Sequence, residues 1–495
     1  MKTNHIYLTI ILGLITILAT SCEDFLNQYP KGVYHHGNYN DTTNSTILAE
    51  AKLNEAYSNL RDYQYGWTGL AMGNYTTNDV NKGSTPSDGG TISEFDKLSY
   101  TAGNEHIGNY YSVCYTGITK SNEALTLAYA LNDTVKNKQQ MQAEALFVRA
   151  LLYFRLTRAY GGVPYVNKVM AKDEETPQRS TQAQMWSYIE QDLVDAIPFL
   201  PTRAARLADG TSGRGTQNAA KALLAKVYLY QQRWADVISM TSQIIASGDN
   251  DLTTPYGEIF YEKNEFGPES VFEVFCEERP EEQIFLGSQY SQIQGIRGKP
   301  NLGWGFNSPE ETLINAFEEG DPRLEATVIK NGDVLEGVTV KADPAGKPYF
   351  NKKAYVPKSE RGVYGRDDEG QGQWMNIRVM RYAEVILMHA EAACEMGGDE
   401  NMADARAKLE MVRKRARGGK DVLPEITTNN QAELRKAIRH ERRIELAMEG
   451  EYFFDLVRWG IAKDEIDNFV VGKHEVFPIP QTEIDKAQLE QNPGY

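Results

Sequence analysis

Cysteine, histidine, clustered basic residues and long apolar runs are all scarce in this chain of 495 residues. Of the four cysteines, Cys114, Cys276 and Cys394 stand far apart, which makes neither a complete disulfide framework nor a metal cluster. Small buried hydrophobes is their expected role. The seven histidines are scattered and show no HExxH spacing, so no metal site and no cofactor is expected. Net charge is −16, and only Arg413-Lys414-Arg415-Ala416-Arg417 packs cations together, which makes nucleic acid and anionic lipid poor partners. Beyond residue 22 no apolar run approaches the roughly 20 residues of a membrane span. Hydrophobic residues at 41% still supply a core for one large or two ordinary domains.

What is present begins at the N-terminus. Lys2 is followed by mostly aliphatic residues from Ile6 to Ala19, and small side chains then lead into Cys22. Residues 1–21 are therefore expected to be a secretory signal too short to anchor as a spanning helix. The Ala19-Thr20-Ser21-Cys22 ending resembles a bacterial lipoprotein signal, which implies a mature chain starting at a lipidated Cys22. A plain secretory signal followed by a chance cysteine is the alternative. At about 0.8 kcal/mol per buried methylene, three acyl chains would make release from a membrane negligible. Glu23 and Asp24 resemble the acidic tag that directs some lipoproteins to the outer face of the outer membrane; a solvated tether is the plainer account.

Apolar residues recur at helical offsets in several places. Ala49, Leu53, Ala56, Tyr57 and Leu60 share one face, and Ala143, Phe147, Ala150, Leu151 and Phe154 repeat the spacing before Gly161-Gly162 and Pro164 stop it. Ala220, Leu223, Leu224 and Val227 lead through a short turn to Trp234, Val237, Ile238, Thr241 and Ile245. Tyr382, Ala383, Ile386, Ala390 and Ala393 lead through Gly397-Gly398 to Met402, Ala405, Leu409, Val412 and Ala416. Alanines at close-contact positions let paired helices approach, so the expected fold is mainly α: tetratricopeptide-like helical hairpins forming a right-handed superhelix. The spacing is not a uniform 34 residues, so long loop-rich insertions carrying short β-strands, such as 270–275, are expected. Residues 62–104 and about 250–375 lack helical periodicity and are rich in Gly, Asn, Tyr and Pro. Loops of that size are usually functional.

Several ordered segments resemble the SusD/RagB family of outer-membrane nutrient-binding lipoproteins. They are Tyr111, Tyr115, Ile118 and Asn122; the run 144–150 with Arg149-Ala150; and Tyr160-Gly161-Gly162-Val163-Pro164-Tyr165. Further on come Arg381-Tyr382-Ala383-Glu384, Glu441-Arg442-Arg443-Ile444-Glu445-Leu446, Phe454-Asp455-Leu456, Arg458-Trp459-Gly460, and the ending Gln491-Asn492-Pro493-Gly494-Tyr495. The resemblance implies one SusD-like domain over 22–495, with helical parts at about 40–250 and 376–495 around the loop-rich 250–375. It also implies oligosaccharide capture at the cell surface and delivery to a SusC-like TonB-dependent transporter, with no catalysis.

A pyranose offers an apolar C–H face and a hydroxyl rim, so it suits a flat aromatic flanked by planar polar partners. Candidates in the first insertion are Tyr63, Tyr65, Trp67 and Tyr75 with Asn74, Asn78 and Asp79. The second insertion offers Tyr290, Trp304 and Phe306 with Arg297, Asn301 and Asn307, and Trp374 is a third platform candidate. For each aromatic the competing role is packing its own loop onto the helical body. Trp67→Ala and Trp304→Ala are both expected to weaken binding while leaving the fold alone. Trp186, Trp234 and Trp459 lie in helical patterns and are expected in the core. Glu441 and Glu445 could be a glycosidase acid and nucleophile, but Glu441 shares a face with Ala437, Ile444 and Met448, so an ion pair with Arg442, Arg443 or Arg458 is favoured. A glycoside hydrolase, a peptide-binding member of the same family, and a β-rich adhesin remain the competing accounts.

Overall fold

The computed structural model describes residues 42–279, 284–298, 303–361 and 373–495. Cys22, Asn301 and the 370–372 segment before Trp374 lie outside them. Contacts divide the chain into Met1–Ser45 and Thr46–Tyr495, and the architecture below is that of the second unit.

The principal elements are α1 (Thr42–Asn59), α2 (Tyr63–Leu70), β1 (Val80–Gly83), α3 (Glu105–Ala130), α4 (Lys138–Tyr160), α5 (Gln182–Ala196), α6 (Gln217–Tyr230) and α7 (Trp234–Ser247). After these come β2 (Ser270–Val274), β3 (Glu277–Arg279), β4 (Ile284–Leu286), α8 (Tyr290–Gln294), β5 (Phe306–Pro309), β6 (Val328–Lys330) and β7 (Tyr349–Asn351). The chain closes with β8 (Ile377–Arg381), α9 (Tyr382–Met396), α10 (Asp399–Arg417), α11 (Gln431–Glu445) and α12 (Tyr452–Arg458). Among the described residues no helix is long and apolar enough to cross a membrane.

The helices stack in sequence: α3 on α4, α4 on α5, α5 on α6, α6 on α7, α7 on α9, and α9 on both α10 and α11. This is the expected array of tetratricopeptide-like hairpins. Small residues set its spacing: Ala220, Ala225, Ala383, Ala390 and Ala393 are fully buried, so neighbouring backbones approach closely. Every member of the predicted faces of α1 and α4 is buried. Among the described residues the strands form antiparallel pairs, β1 with β5, β8 with β2, β3 with β4 and β6 with β7 among them, and they staple loops rather than build a sheet core. Trp186 is buried, Trp234 and Trp459 pack against the core, and the three described cysteines are free and buried.

The last helices are bound by buried ion pairs, as the sequence led us to expect, with different partners. Glu441 is fully buried and held by Arg323 and Arg413, not by Arg442, Arg443 or Arg458. Glu445, equally buried, meets Arg381 at 2.9 Å and Arg415 at 2.6 Å. The cations come from the second insertion, β8 and α10, which sequence proximity could not reveal. A carboxylate pair with no exposed edge and four arginines around it has no room for a sugar ring, so the acid and nucleophile assignment is set aside.

Candidate functional site

Asp62 opens the first insertion by capping α2, its carboxylate accepting from the Gln64 N–H at 2.9 Å. The helix widens through Ala71–Tyr75 and passes into β1. β1 then pairs with β5, placing Val80 opposite Pro309 and Gly83 opposite Phe306. That pairing joins the two insertions, so their aromatics form one cluster.

Trp67 is the hinge of the cluster. Its indole N–H donates to His106 Nδ1 at 3.1 Å, and its ring meets Phe306 and Trp304 edge-on at centroid distances of 4.5 and 5.9 Å. Because Nδ1 accepts, the neutral His106 ring carries its proton on Nε2, and burial pushes its pKa below the usual imidazole value. Trp67 is only 7% exposed and Phe306 4%, so both back the cluster from inside. Solvent meets Trp304, which is half-buried, and Tyr63, which is 40% exposed and lies 6.4 Å from Trp67.

Trp304 is presented by a locked turn. Its N–H donates to Gln292 O at 2.8 Å, Gly303 N–H to Ile296 O at 2.8 Å and Gly305 N–H to Gly295 O at 2.9 Å. A Cβ on Gly303 would lie 2.4 Å from the Gly295 carbonyl, so only glycine permits this approach. Beside the ring, Arg297 Nη1 donates to Ser84 Oγ at 2.8 Å, Asp88 Oδ2 at 2.5 Å and, more weakly, Trp304 O at 3.4 Å. The Ser84 and Thr85 hydroxyls, and then Arg297, hold the Asp88 carboxyl below the usual carboxylate range. Lys82 fastens the same loop through Thr85 O and Asp88 O, with its amine 5.5 Å from the Phe306 ring centre. The result is an aromatic surface with a planar cation and a fixed carboxylate at its edge.

Other candidates do structural work. Asn74 is buried, donating to Asn307 Oδ1 at 3.0 Å and accepting from Gly450 N–H at 3.1 Å. Asp79 is buried and accepts from Arg443 Nε at 2.8 Å. Asn78 donates to Glu465 O at 3.1 Å, tying the first insertion to the end of the chain. Tyr290 lies against Gly66, where a Cβ would come within 3.0 Å of its ring. Tyr65 and Tyr75 are in the core. Trp374 is buried with Val356 and Met375, its indole N–H donating to Glu262 Oε2 at 3.2 Å, so it is not the third platform. Asp88, Ser84 and His106 were not singled out from sequence; the Asp88-Gly89-Gly90 turn was the available cue.

Fold and surface together define a helical-repeat scaffold whose paired insertions carry an aromatic patch. Residues 285–476 match the model of the SusD family, and residues 35–229 match one described as starch-binding associating with outer membrane. SusD-like protein P2 of Formosa agariphila is 24% identical over 99% of both chains, and a SusD-like protein of Bacteroides ovatus is 24% identical over 91% of this chain and 82% of its own. A laminarin-binding SusD-like protein superposes with a TM-score of 0.76 at 28% identity, covering 90% of this chain and 99% of that one. Surface glycan-binding protein A of Bacteroides thetaiotaomicron, solved with laminarihexaose, gives 0.76 at 22% identity over 90% and 98%. The chain belongs to the SusD/RagB family.

Proposed function

We propose that this protein is a glycan-binding lipoprotein of the outer membrane, anchored at Cys22 and exposed at the cell surface, and that it binds without catalysis. It holds oligosaccharide on Trp304 and Tyr63 and passes it to a SusC-like TonB-dependent transporter. In this reading 1–21 is the signal and 22–495 the SusD-like domain. The observation that carries it is the β1–β5 pairing, which unites the aromatics of both insertions and leaves Trp304 beside the Arg297–Asp88 pair. The ring supplies the flat face a pyranose needs, and the pair supplies a donor and an acceptor for adjacent hydroxyls. Trp67 and Phe306 hold that face from behind. The laminarin-binding and laminarihexaose-bound proteins of the same fold support a glycan ligand, and the outer-membrane description of the matching family supports the location.

The test is a glycan array followed by titration calorimetry of the best ligand. Trp304→Ala should lose about 1–3 kcal/mol of binding while thermal unfolding stays within a degree or two of the parent. Unchanged affinity in that variant would remove the platform. Gentle detergent extraction of the native lipoprotein should co-purify an outer-membrane barrel.

A further inference from the structure

A separate cleft of about 640 Å³ shares no residue with the Trp304 surface. One wall is α1 from Ala51 onward with Arg61 just past its end, and the other is the 210–214 loop with Phe266, Phe275 and Leu286. Phe275 and Leu286 are 37% and 38% exposed, and the Phe266 ring lies 6.3 Å from Phe275 at 29°. Gly213 brings bare backbone under Phe275, since a Cβ there would fall 2.4 Å from the Phe275 Cβ. A solvent-facing aromatic surface is thus fixed in place.

Arg61 stands apart from the ion pairs around the cleft, in which Lys52 is shared by Glu55 and Glu123 and Glu144 by Arg206 and Arg214. Arg214 is matched by Glu50 at 3.3 Å and Glu144 at 3.2 Å, and Glu55 by Lys52 at 3.1 Å. Arg61 has only neutral acceptors, Ser58 Oγ at 2.6 Å and Phe275 O at 3.4 Å, and it faces no carboxylate at ion-pair distance among the described residues. Burial pushes its pKa below the usual guanidinium value. A partly desolvated cation without a counter-charge favours an anion in its neighbourhood, and a planar guanidinium favours a carboxylate. Asn54 Oδ1 accepts from Arg214, and its amide N–H groups meet no acceptor among the described residues, leaving a donor for a hydroxyl at the same wall.

We infer that this cleft is a second saccharide site, selective for a uronate: the sugar carboxylate sits on Arg61, its C–H face on Phe275, and a ring hydroxyl on Asn54. A neutral sugar would leave Arg61 uncompensated there. The choice of a saccharide rests on the glycan-binding reading above; the anionic selectivity rests on Arg61 alone.

The test is titration calorimetry on the intact chain with galacturonate and alginate tetrasaccharides, beside a panel of neutral oligosaccharides that includes laminarihexaose. At least one uronate should bind the parent and Trp304→Ala equally, weaken about tenfold or more in Arg61→Gln, recover in part in Arg61→Lys, and weaken with added salt. Neutral ligands should respond to Trp304→Ala and ignore Arg61→Gln. Uronate binding that survives Arg61→Gln or vanishes in Trp304→Ala would overturn the inference. Failure of both uronates beside a bound neutral sugar overturns it too and leaves the glycan-binding reading standing. Absence of binding by every sugar sinks that reading first and the inference with it.

Discussion

Trp67 is buried and Trp304 half-buried, and that difference gives the two tryptophans of the paired insertions opposite tasks. Nothing in local pattern distinguishes a ring that backs a surface from one that forms it, because the difference is made by what packs behind. Trp67→Ala would empty a site lined by Phe306 and His106 and leave the imidazole Nδ1 without its donor. A loss of about 3–5 kcal/mol in unfolding free energy is expected, measured by denaturant titration, in contrast to the silent effect on stability of Trp304→Ala. The revision of the sequence-based expectation for Trp67 is therefore a matter of burial. Glu451 gives a second residue-scale prediction. Burial alone would raise its carboxyl, but Lys226 and Arg158, at 2.8 and 2.9 Å, bring it down to about 2 from an ordinary 4.5. A folded-state pKa below the unfolded one adds stability that is complete above pH 4.5 and is lost as pH falls toward about 2. Thermal unfolding across that window should fall more steeply for the parent than for Glu451→Gln. At neutral pH the variant should already be less stable, because buried Arg158 loses its counter-charge and Lys226 keeps only Glu384 of its two carboxylate partners.

Helices were legible because their apolar faces repeat within a few residues and their ends carry glycine. The joining of the insertions was not, because β1 and β5 are short, lack alternation, and meet across more than two hundred residues of chain. Asp79 and Arg443 are 364 positions apart, and Asn74 and Gly450 376, so the partner of each polar side chain was out of reach of any spacing rule. Asn74 and Asp79 are expected from the sequence to bind ligand; both are buried, and their polar groups serve the seam between the first insertion and residues 443–450. The turn that presents Trp304 tests how far a backbone can control a surface. Gly303→Ala drives a methyl into the Gly295 carbonyl and must shift the 303–305 turn. Glycan affinity should fall about as far as in Trp304→Ala although the indole is still present, with the helical far-UV spectrum unchanged. Intact binding in that variant would mean that the turn tolerates displacement.

At the scale of the whole molecule the C-terminal end of the chain is fastened to segments near residues 100 and 160. Phe477 N–H donates to Ala159 O at 2.7 Å, Asn492 Nδ2 to Tyr160 O at 2.9 Å, and Tyr495 stacks on Tyr100 at 6.2 Å. The helical stack and its insertions are thus one cooperative body, and removing residues 478–495 should lower the unfolding temperature of the entire protein in a single transition. Calorimetry that instead resolved an undisturbed N-terminal transition would contradict this. The seam from β1 to β5 also bears on how the native state is reached. Its two halves are separated by most of the helical array, so loop-closure entropy opposes their meeting until the intervening helices have condensed. Renaturation should then show the tryptophan cluster assembling late, long after helical signal has returned, and a chain interrupted at that stage would display unpaired strand edges and bare indoles to its neighbours.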